Sequence, residues 1–401
     1  MKQAYIVEGT RTPIAKFKGG LSEVRADDLA ALTIKALMNK LGDFDPALID
    51  DVILGCHNQA GEDNRNVARM ASLLAGLPVS VPGETVNRLC ASGMSAVMQA
   101  NRAIKAGDGD IFIAGGVEHM TRSPFVLSKT SSPYGNDAQL YDSSFGWRFI
   151  NPKMKKMYGT EAMGETAENL ADLHRISRKD QDLFALNSQL KAAKARSRKR
   201  LAMEITAVEI PQRKGNPVLF SDDEFIKADT TLEVLANLKP AFREHGTVTA
   251  GNASGLNDGA CTLLIASEDA VKQYALKPLA RLVSSQVVGV EPRIMGIGPV
   301  EASNKALAKA NLKMSDMDVI ELNEAFAAQS LACIRSWKLA DDDARINPNG
   351  GAIALGHPLG MSGARILYSA AIELQQSNAR YALCTMCVGL GQGYATIIER
   401  V

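Results

Sequence analysis

Short apolar runs of strand length alternate along the chain with longer segments in which apolar residues recur at helical spacing. Strand-like runs occur at 51–53, 111–114, 318–320 and 381–384, and helical patterns at about 28–40, 178–200 and 300–311. Strands that alternate with helices indicate mostly parallel sheets covered by helices. The pattern therefore predicts an α/β fold.

The chain also contains an internal duplication at a spacing of 267 residues. The triplet DVI occurs at 51–53 and 318–320, and GMS occurs at 93–95 and 360–362. In each half a helical pattern precedes the DVI strand, a helix rich in Gly and Ala begins near GMS, and a second apolar strand follows. A repeat of this size predicts two similar halves. Two sheets packed together are the simplest architecture for them.

The segment between the halves differs from both. From about 121 to 246 it is richer in polar and basic residues and has no counterpart in the second half. We therefore expect an N-terminal half at 1–120, completed by about 247–272, an inserted loop domain at 121–246 and a C-terminal half at 273–401.

The same spacing relates pairs of residues with distinctive chemistry. Cys90 and His357 are 267 residues apart, each at the expected start of a Gly- and Ala-rich helix. Cys56 and Asn323 are related in the same way, at the ends of equivalent strands. Ligands collect outside the carboxyl ends of strands, beside helix N-termini. A pseudo-twofold axis would therefore bring these four residues into one crevice.

Cys90 is a candidate nucleophile and His357 a candidate base. Cys90 lies in NRLCASG (87–93), where a helix start favours the thiolate through its N–H groups and dipole. His357 is presented by the glycine-rich GGAIALGHP (350–358) and is a plausible activator of a thiol. The alternative for each is a structural residue, since free cysteines are among the most buried side chains.

Three more polar groups follow predicted strands. Cys384 and Cys387 form a C-x-x-C pair, which alone suggests a redox dithiol or half of a zinc site. A second such pair is missing, and glycines follow where a redox helix would begin. Cys387 then lies at the carboxyl end of a strand, and Gly389 offers an N–H group for an oxyanion hole. Asn323 either orients a water or substrate oxygen or caps the next helix.

Composition narrows the class of protein. Hydrophobic residues make up 46% and charged residues 22%, which is typical of a soluble globular protein. The net charge of +1 predicts no polyanionic partner, and no apolar run approaches the roughly 20 residues that span a bilayer. The N-terminus lacks the pattern of a secretory signal, so we expect a cytoplasmic protein with six reduced cysteines.

One charged segment leaves an alternative open. Basic residues recur through 191–200, where they form either the solvated face of a helix or a site for RNA or phosphate-rich ligands. The near-neutral total charge favours the solvated face. The six residues are Lys191, Lys194, Arg196, Arg198, Lys199 and Arg200.

Several motifs together resemble those of thiolases: NRLCASG (87–93), TAGNASG (249–255), NEAF (323–326), GGAIALGHP and CVGLGQG (387–393). With VEGTRTP at 7–13 the resemblance covers the whole chain. It implies a duplicated thiolase fold in which two mixed-sheet halves form a layered αβαβα arrangement with an inserted loop domain. It also implies coenzyme A as co-substrate, acyl-CoA as substrate, no bound cofactor or metal, and a homo-oligomer, either a dimer or a dimer of dimers.

The resemblance assigns roles to the candidate residues. Cys90 carries the acyl group, His357 activates it, and Cys387 moves a proton at the alpha carbon. One oxyanion hole is implied at His357 with a water held by Asn323, and a second at the backbone N–H groups of Cys90 and Gly389. The implied CoA-binding residues are Met163, Phe242, Ala250, Ser254, Ala325 and Phe326. Lys227 stands where relatives often place an arginine near the adenine, and a lysine stacks less well there.

Substrate choice follows from three further segments. AMG at 162–164 replaces the HMG that is usual in biosynthetic acetoacetyl-CoA thiolases. NQAGEDNRNVARM (58–70) and FGWRFINP (145–152) instead resemble 3-oxoadipyl-CoA thiolases of aromatic and phenylacetate breakdown. The hypothesis is that Arg148 pairs bidentately with the distal carboxylate of such a substrate. The alternatives are an acetoacetyl-CoA or a general fatty 3-ketoacyl-CoA thiolase. More remote is a decarboxylating ketoacyl synthase, whose second histidine is replaced here by Cys387.

Overall fold

Two related sets of strands and helices frame the molecule in the computed structural model, which describes residues 2–401. The first set ends at residue 119, and its last strand, Ile111–His119, is buried along its whole length. Its elements are β1 (Ala4–Arg11), β2 (Ala15–Lys16), α1 (Ala26–Leu41), β3 (Asp51–Gly55), α2 (Val67–Leu74), β4 (Gly83–Val86), α3 (Ser92–Ala106) and β5 (Ile111–His119).

A less regular segment follows, with short hairpins and one long helix. That helix, α6, begins with a reciprocal capping box between Ser177 and Asp180, which supplies partners for the free N–H groups of its first turn. The elements are β6 (Phe125–Leu127), β7 (Leu140–Asp142), α4 (Pro152–Tyr158), α5 (Met163–Leu173), α6 (Arg178–Ser197), β8 (Val208–Ile210), β9 (Val218–Phe220) and α7 (Leu232–Ala236).

The chain then returns to the first set before it forms the second. β10 (Asn257–Ser267) pairs with both β5 and β1, and α8 (Glu268–Gln273) follows it. The second set repeats the main elements of the first in the same order, although β2 and β4 have no counterpart strand in it, and this repetition confirms the duplication. Its elements are β11 (Ala280–Gly289), α9 (Gly298–Ala310), β12 (Val319–Leu322), α10 (Ala327–Ser336), α11 (Ala352–Leu355), α12 (Leu359–Ser377), β13 (Tyr381–Val388) and β14 (Gln392–Arg400).

The strands form two mixed sheets that meet at one edge. The first has the order β4-β3-β5-β10-β1, with β3 parallel to β4 and β5, and the second has the order β11-β14-β13-β12, with β12 parallel to β13. The sheets join where Tyr5 and Ile6 of β1 pair with Arg281 and Ala280 of β11. The two expected sheets are therefore continuous along a short edge contact.

Three apolar cores separate five layers. One core lies between the first sheet and α1 with α2, and another lies between the second sheet and α9 with α10. The third surrounds α3 and α12, which pack on each other between the sheets. This arrangement confirms the predicted αβαβα order.

Glycines allow the two central helices to touch. A Cβ atom on Gly93 would lie 2.7 Å from the carbonyl oxygen of Gly360, and one on Gly363 would lie 2.5 Å from the backbone nitrogen of Met94. Both distances are shorter than a van der Waals contact. The repeated GMS triplet therefore marks a point of direct contact between the two halves, and this point adjoins the helix starts that follow Cys90 and His357.

The basic segment at 191–200 makes internal bonds. Arg200 is buried and pairs with Glu204 at 2.7 Å and with Glu373 at 3.0 Å. Lys191 donates from Nζ to the carbonyl oxygen of Ile346 at 2.7 Å. These bonds involve two of the six basic residues, and the other four, Lys194, Arg196, Arg198 and Lys199, are exposed, as expected for the solvated face of a helix. Among residues 2–401 no helix is long and apolar enough to cross a membrane.

Candidate active site

Cys90 lies in a tight turn two residues before the first residue of α3. Leu89 has a φ of 47°, a left-handed conformation that a branched side chain rarely adopts. Side chains hold this turn: Asn87 Oδ1 accepts from the N–H of Leu89 at 2.8 Å, and Ser92 Oγ donates to the carbonyl of Leu89 at 2.7 Å. The chain therefore keeps Leu89, the residue before Cys90, in a backbone conformation that costs free energy, as is common at functional sites.

His357 occupies the equivalent place two residues before α12. Its N–H donates to Asn257 Oδ1 at 2.9 Å, and its Nδ1 lies 2.7 Å from Ser362 Oγ. The hydroxyl of Ser362 donates its proton to the carbonyl of Pro358 at 2.8 Å, so it accepts from His357. These hydrogen bonds place the imidazole proton on Nδ1. Nε2 therefore carries a lone pair and can accept a proton.

Asn323 follows β12 and lies next to the imidazole of His357. Its Nδ2 is 3.3 Å from His357 Nε2. Its Oδ1 is buried and makes no hydrogen bond within the described part of the chain. The N-cap of α10 is Phe326, so Asn323 does not cap that helix. The orienting interpretation of Asn323 is the one that fits this geometry.

Cys384 and Cys387 lie on β13 with different surroundings. Residues three apart on a strand face opposite sides of a sheet. Cys384 is in the central core, with Sγ 3.6 Å from the carbonyl of Ile366, whereas Cys387 joins a small apolar cluster with Ala325 and Phe326. Both are free thiols. The pair therefore does not act as a dithiol, and only Cys387 reaches the site.

Burial sets the protonation states of these groups. Burial raises the pKa of the Cys90 thiol to about 11, although the N–H groups of Gly389 and Cys90 itself act in the opposite direction. The N–H groups at the helix start therefore favour the thiolate, as expected from the sequence, but desolvation of the thiol has the larger effect on its pKa. Burial also lowers the pKa of His357 to about 3. Burial, and then the nearby Cys90, raise the pKa of Cys387 well above its usual value.

Two cavities meet at Cys90. One, of about 290 Å³, also contains His357 and Cys387 on its walls. All six residues predicted to bind CoA line it, namely Met163, Phe242, Ala250, Ser254, Ala325 and Phe326. The rings of Phe242 and Phe326 pack edge to face at 6.2 Å. A Cβ atom on Gly164 would lie 2.1 Å from the ring of Phe242. Because the AMG segment has glycine at this position, α5 can pack directly against that ring at the wall of the cavity.

The second cavity, of about 270 Å³, extends from Cys90 in another direction. Arg148 and Gly389 line it, together with Leu390, which has a φ of 65°. We name the two cavities after the ligands that the resemblance implies: this one is the acyl cavity, and the first is the CoA cavity. Lys227 is exposed, with Nζ 5.5 Å from the ring centroid of Phe225.

One expected member of the site lies elsewhere. Cys56 was predicted to share the crevice, but it is buried below the first sheet, where its Sγ donates to the carbonyl of Asn58 at 2.9 Å. It lines a separate small cavity beside Glu118. The duplication relates backbone positions at strand ends, and the loop after β3 turns the Cys56 side chain away.

No cluster of three or more His, Cys, Asp or Glu suited to a metal ion occurs among residues 2–401.

Two contributing residues were not predicted. Ser362 fixes the tautomer of His357, and Glu118 accepts backbone N–H bonds from His57, Asn58 and Gly360 at 2.8–3.1 Å. Ser362 belongs to the second GMS triplet and lies one helical turn after Pro358. This spacing is the feature of the sequence that could have identified it.

Replacing Ser362 by Ala should lower kcat by about 10- to 100-fold, because His357 loses the acceptor that keeps its proton on Nδ1. Steady-state kinetics at neutral pH measure this effect. Ser369 lies further along the same helix, α12, and Ser369→Ala is the matched control. A Ser362→Ala enzyme as active as that control would contradict the orienting role.

Comparisons with known proteins identify the family. The chain matches the thiolase N-terminal domain over residues 4–269 and the thiolase C-terminal domain over 276–400. The protein therefore belongs to the thiolase family, and the acyltransferase class predicted from its motifs is confirmed.

Named relatives are similar along the full chain. It is 58% identical over 401 residues to a beta-ketoadipyl-CoA thiolase of Acinetobacter baylyi, with all of both chains covered. It is 57% identical, with the same coverage, to the 3-oxoadipyl-CoA/3-oxo-5,6-dehydrosuberyl-CoA thiolase of Escherichia coli. Crystal structures of the Bacillus anthracis acetyl-CoA acetyltransferase and of human mitochondrial 3-ketoacyl-CoA thiolase each superpose with a TM-score of 0.92 at 40% identity, covering 100% of this chain and 99% of theirs.

Proposed function

We propose that this thiolase cleaves 3-oxoadipyl-CoA with free CoA, giving acetyl-CoA and succinyl-CoA, with Cys90 as the acyl carrier. The observation that carries the proposal is the position of one positively charged side chain, Arg148. Arg148 lines the acyl cavity that begins at Cys90, and within residues 2–401 it forms no ion pair. A half-buried guanidinium without a counter-ion favours a ligand with a carboxylate. The names of the full-length relatives support the same substrate.

The first half-reaction uses three side chains. Cys90 Sγ transfers its proton to Nε2 of His357 and attacks the keto carbon C3 of the substrate. The bond between C2 and C3 then breaks, and the electron pair stays on the two-carbon fragment attached to CoA. Cys387 protonates that fragment, so acetyl-CoA leaves and a succinyl thioester remains on Cys90.

The second half-reaction returns the enzyme to its resting state. Cys387 first regains a proton from His357, so that Nε2 again carries a lone pair. Free CoA then enters the CoA cavity, transfers its thiol proton to Nε2 of His357, and attacks the thioester carbonyl on Cys90. The Cys90 thiolate leaves and takes this proton back as succinyl-CoA departs. Because the resting thiol and imidazole are both neutral, proton transfer accompanies each attack, and no charge is left unpaired in the empty site.

Two donor sets support the tetrahedral intermediates. The N–H groups of Cys90 and Gly389 converge near the thiol, as their effect on its pKa indicates. His357 and Asn323 form the other set, in which the free Oδ1 of Asn323 accepts a hydrogen bond from a water that donates to the oxyanion. Removing one such donor typically costs about 100- to 1000-fold in rate.

The wider organisation remains a set of predictions. The division into 1–120 with 247–272, 121–246 and 273–401 is supported by the pairing of β10 with β5 and β1. A homo-oligomer, as a dimer or a dimer of dimers, stays a prediction from the resemblance, and a cytoplasmic location stays a prediction of the sequence analysis.

Arg148→Ala should raise KM for 3-oxoadipyl-CoA by about 100-fold, the expected loss for a charge-assisted pair, and should change KM for acetoacetyl-CoA less than about 2-fold. Steady-state kinetics on both substrates measure this. Arg213 is exposed in the inserted segment and gives a matched Arg213→Ala control. Equal losses on the two substrates would contradict the assignment of Arg148.

The main alternatives differ in products and preference. An acetoacetyl-CoA or general fatty 3-ketoacyl-CoA thiolase would cleave those substrates with higher kcat/KM than 3-oxoadipyl-CoA. A decarboxylating synthase would release carbon dioxide and condense acyl groups. The test is to supply 3-oxoadipyl-CoA and free CoA and quantify products. Equal amounts of acetyl-CoA and succinyl-CoA support the proposal, and release of carbon dioxide overturns it.

A further inference from the structure

Besides Arg148, the acyl cavity is lined by the imidazole of His57, in the loop that follows β3. Its backbone is fixed, because its N–H donates to Glu118 Oε2 at 3.0 Å and its carbonyl accepts from Asn87 Nδ2 at 3.0 Å. Its ring nitrogens make no hydrogen bond within residues 2–401. The backbone is therefore held while the ring keeps an unused donor beside the cavity.

The loops that carry His57 and Arg148 are tied together. Asn58 Nδ2 donates to the carbonyl of Ser143 at 3.2 Å and to its Oγ at 2.9 Å. The same carbonyl accepts from Arg148 Nη1 at 3.3 Å. Ser143 is fully buried and its Oγ also bonds the carbonyl of Pro124. The shared contact fixes the two loops relative to each other, so the ring and the guanidinium present donors to one space.

The charges around this space favour an anionic group. Of the described residues that line the acyl cavity, none is Asp or Glu, and the titratable ones are His57, Cys90 and Arg148. Glu118, which contacts the backbone of His57 and does not line the acyl cavity, has both oxygens bonded to backbone N–H groups. Burial, and then Arg148, lower the pKa of His57 to about 4, so its ring is neutral at neutral pH and offers one N–H.

We propose that His57 donates a hydrogen bond to the distal carboxylate of the acyl chain on Cys90, so that His57 and Arg148 together select acyl chains that end in a carboxylate. Arg148 supplies the charge, and His57 supplies a second, uncharged donor to the same group. The inference rests on the proposed function, since it assigns a specificity residue for that substrate.

The test replaces the donor and then restores it. His57→Leu should raise KM for 3-oxoadipyl-CoA by about 10- to 100-fold, the usual loss for a hydrogen bond to a charged group. kcat should change little, because the carboxylate is remote from the reacting carbon and is bound equally in the ground and transition states. KM for acetoacetyl-CoA should stay within about 2-fold of wild type. His57→Gln retains an N–H and should recover part of the loss.

A histidine outside both cavities serves as the matched control. His174 ends α5, and His174→Leu should leave both KM values unchanged. Equal losses on the two substrates, or no change in His57→Leu while the wild type still prefers 3-oxoadipyl-CoA, would overturn the His57 assignment alone. A wild-type enzyme that prefers acetoacetyl-CoA would overturn the proposed function together with it. The kcat for acetoacetyl-CoA reports whether each variant has folded.

Discussion

Cys90→Ala is expected to lower kcat/KM for 3-oxoadipyl-CoA cleavage by at least about 10,000-fold. Among residues 2–401, Cys90 is the only residue lining both cavities whose side chain can form the acyl intermediate proposed here, and alanine removes the nucleophile without filling either cavity. Coupled assay of acetyl-CoA release measures the loss. Binding of CoA should persist, since the residues proposed to hold it remain in place.

A cysteine outside the site provides the control that distinguishes a loss of catalysis from a loss of stability. Cys261 is fully buried on β10 in the central core, so Cys261→Ala should lower the melting temperature somewhat while leaving kcat/KM within a few-fold of wild type. A Cys90→Ala enzyme that retained a tenth of wild-type activity would contradict its role as acyl carrier.

Cys387→Ala should lower the rate of cleavage by about 1000-fold and yet spare acyl exchange. Cleavage needs a proton at C2 of the departing fragment, which Cys387 supplies. Exchange of labelled CoA into succinyl-CoA needs only transfer of the succinyl group to Cys90 and back. The measurement is therefore a pair of rates on the same protein, cleavage of 3-oxoadipyl-CoA and incorporation of labelled CoA into succinyl-CoA.

The C-x-x-C pair provides the control for this variant. Cys384 lies on the same strand but faces the central core, so Cys384→Ala should keep both rates. If Cys387→Ala lost exchange and cleavage in parallel, the two thiols would not have separate roles. If it kept both, Cys387 would not be the acid.

The duplication made most of the fold and the centre of the site predictable. The spacing of 267 residues related the two central helices, and with them Cys90 and His357, before any geometry was known. It failed at Cys56, because a repeat relates backbone positions and the side chain after β3 turns below the sheet. The edge contact between β1 and β11 was not predictable, since only two residue pairs form it.

Side-chain geometry and solvation were the parts that sequence could not supply. The helix start correctly indicated N–H groups near Cys90, but the pKa depends on how much water reaches the thiol, and burial is the larger effect. His57 carried no motif of its own. Its proposed role depends on an unpaired ring beside Arg148, which becomes visible only when the loops after β3 and β7 are placed together.

The most direct measurement is the identity of the group that Cys90 retains. The enzyme is mixed with 3-oxoadipyl-CoA in the absence of free CoA, quenched with acid, digested and analysed by mass spectrometry. We predict one succinyl group, bound as a thioester on the peptide that contains Cys90, and an equal amount of free acetyl-CoA. An acetyl group on Cys90, or an acyl group on another cysteine, would contradict the proposed substrate or the proposed nucleophile respectively.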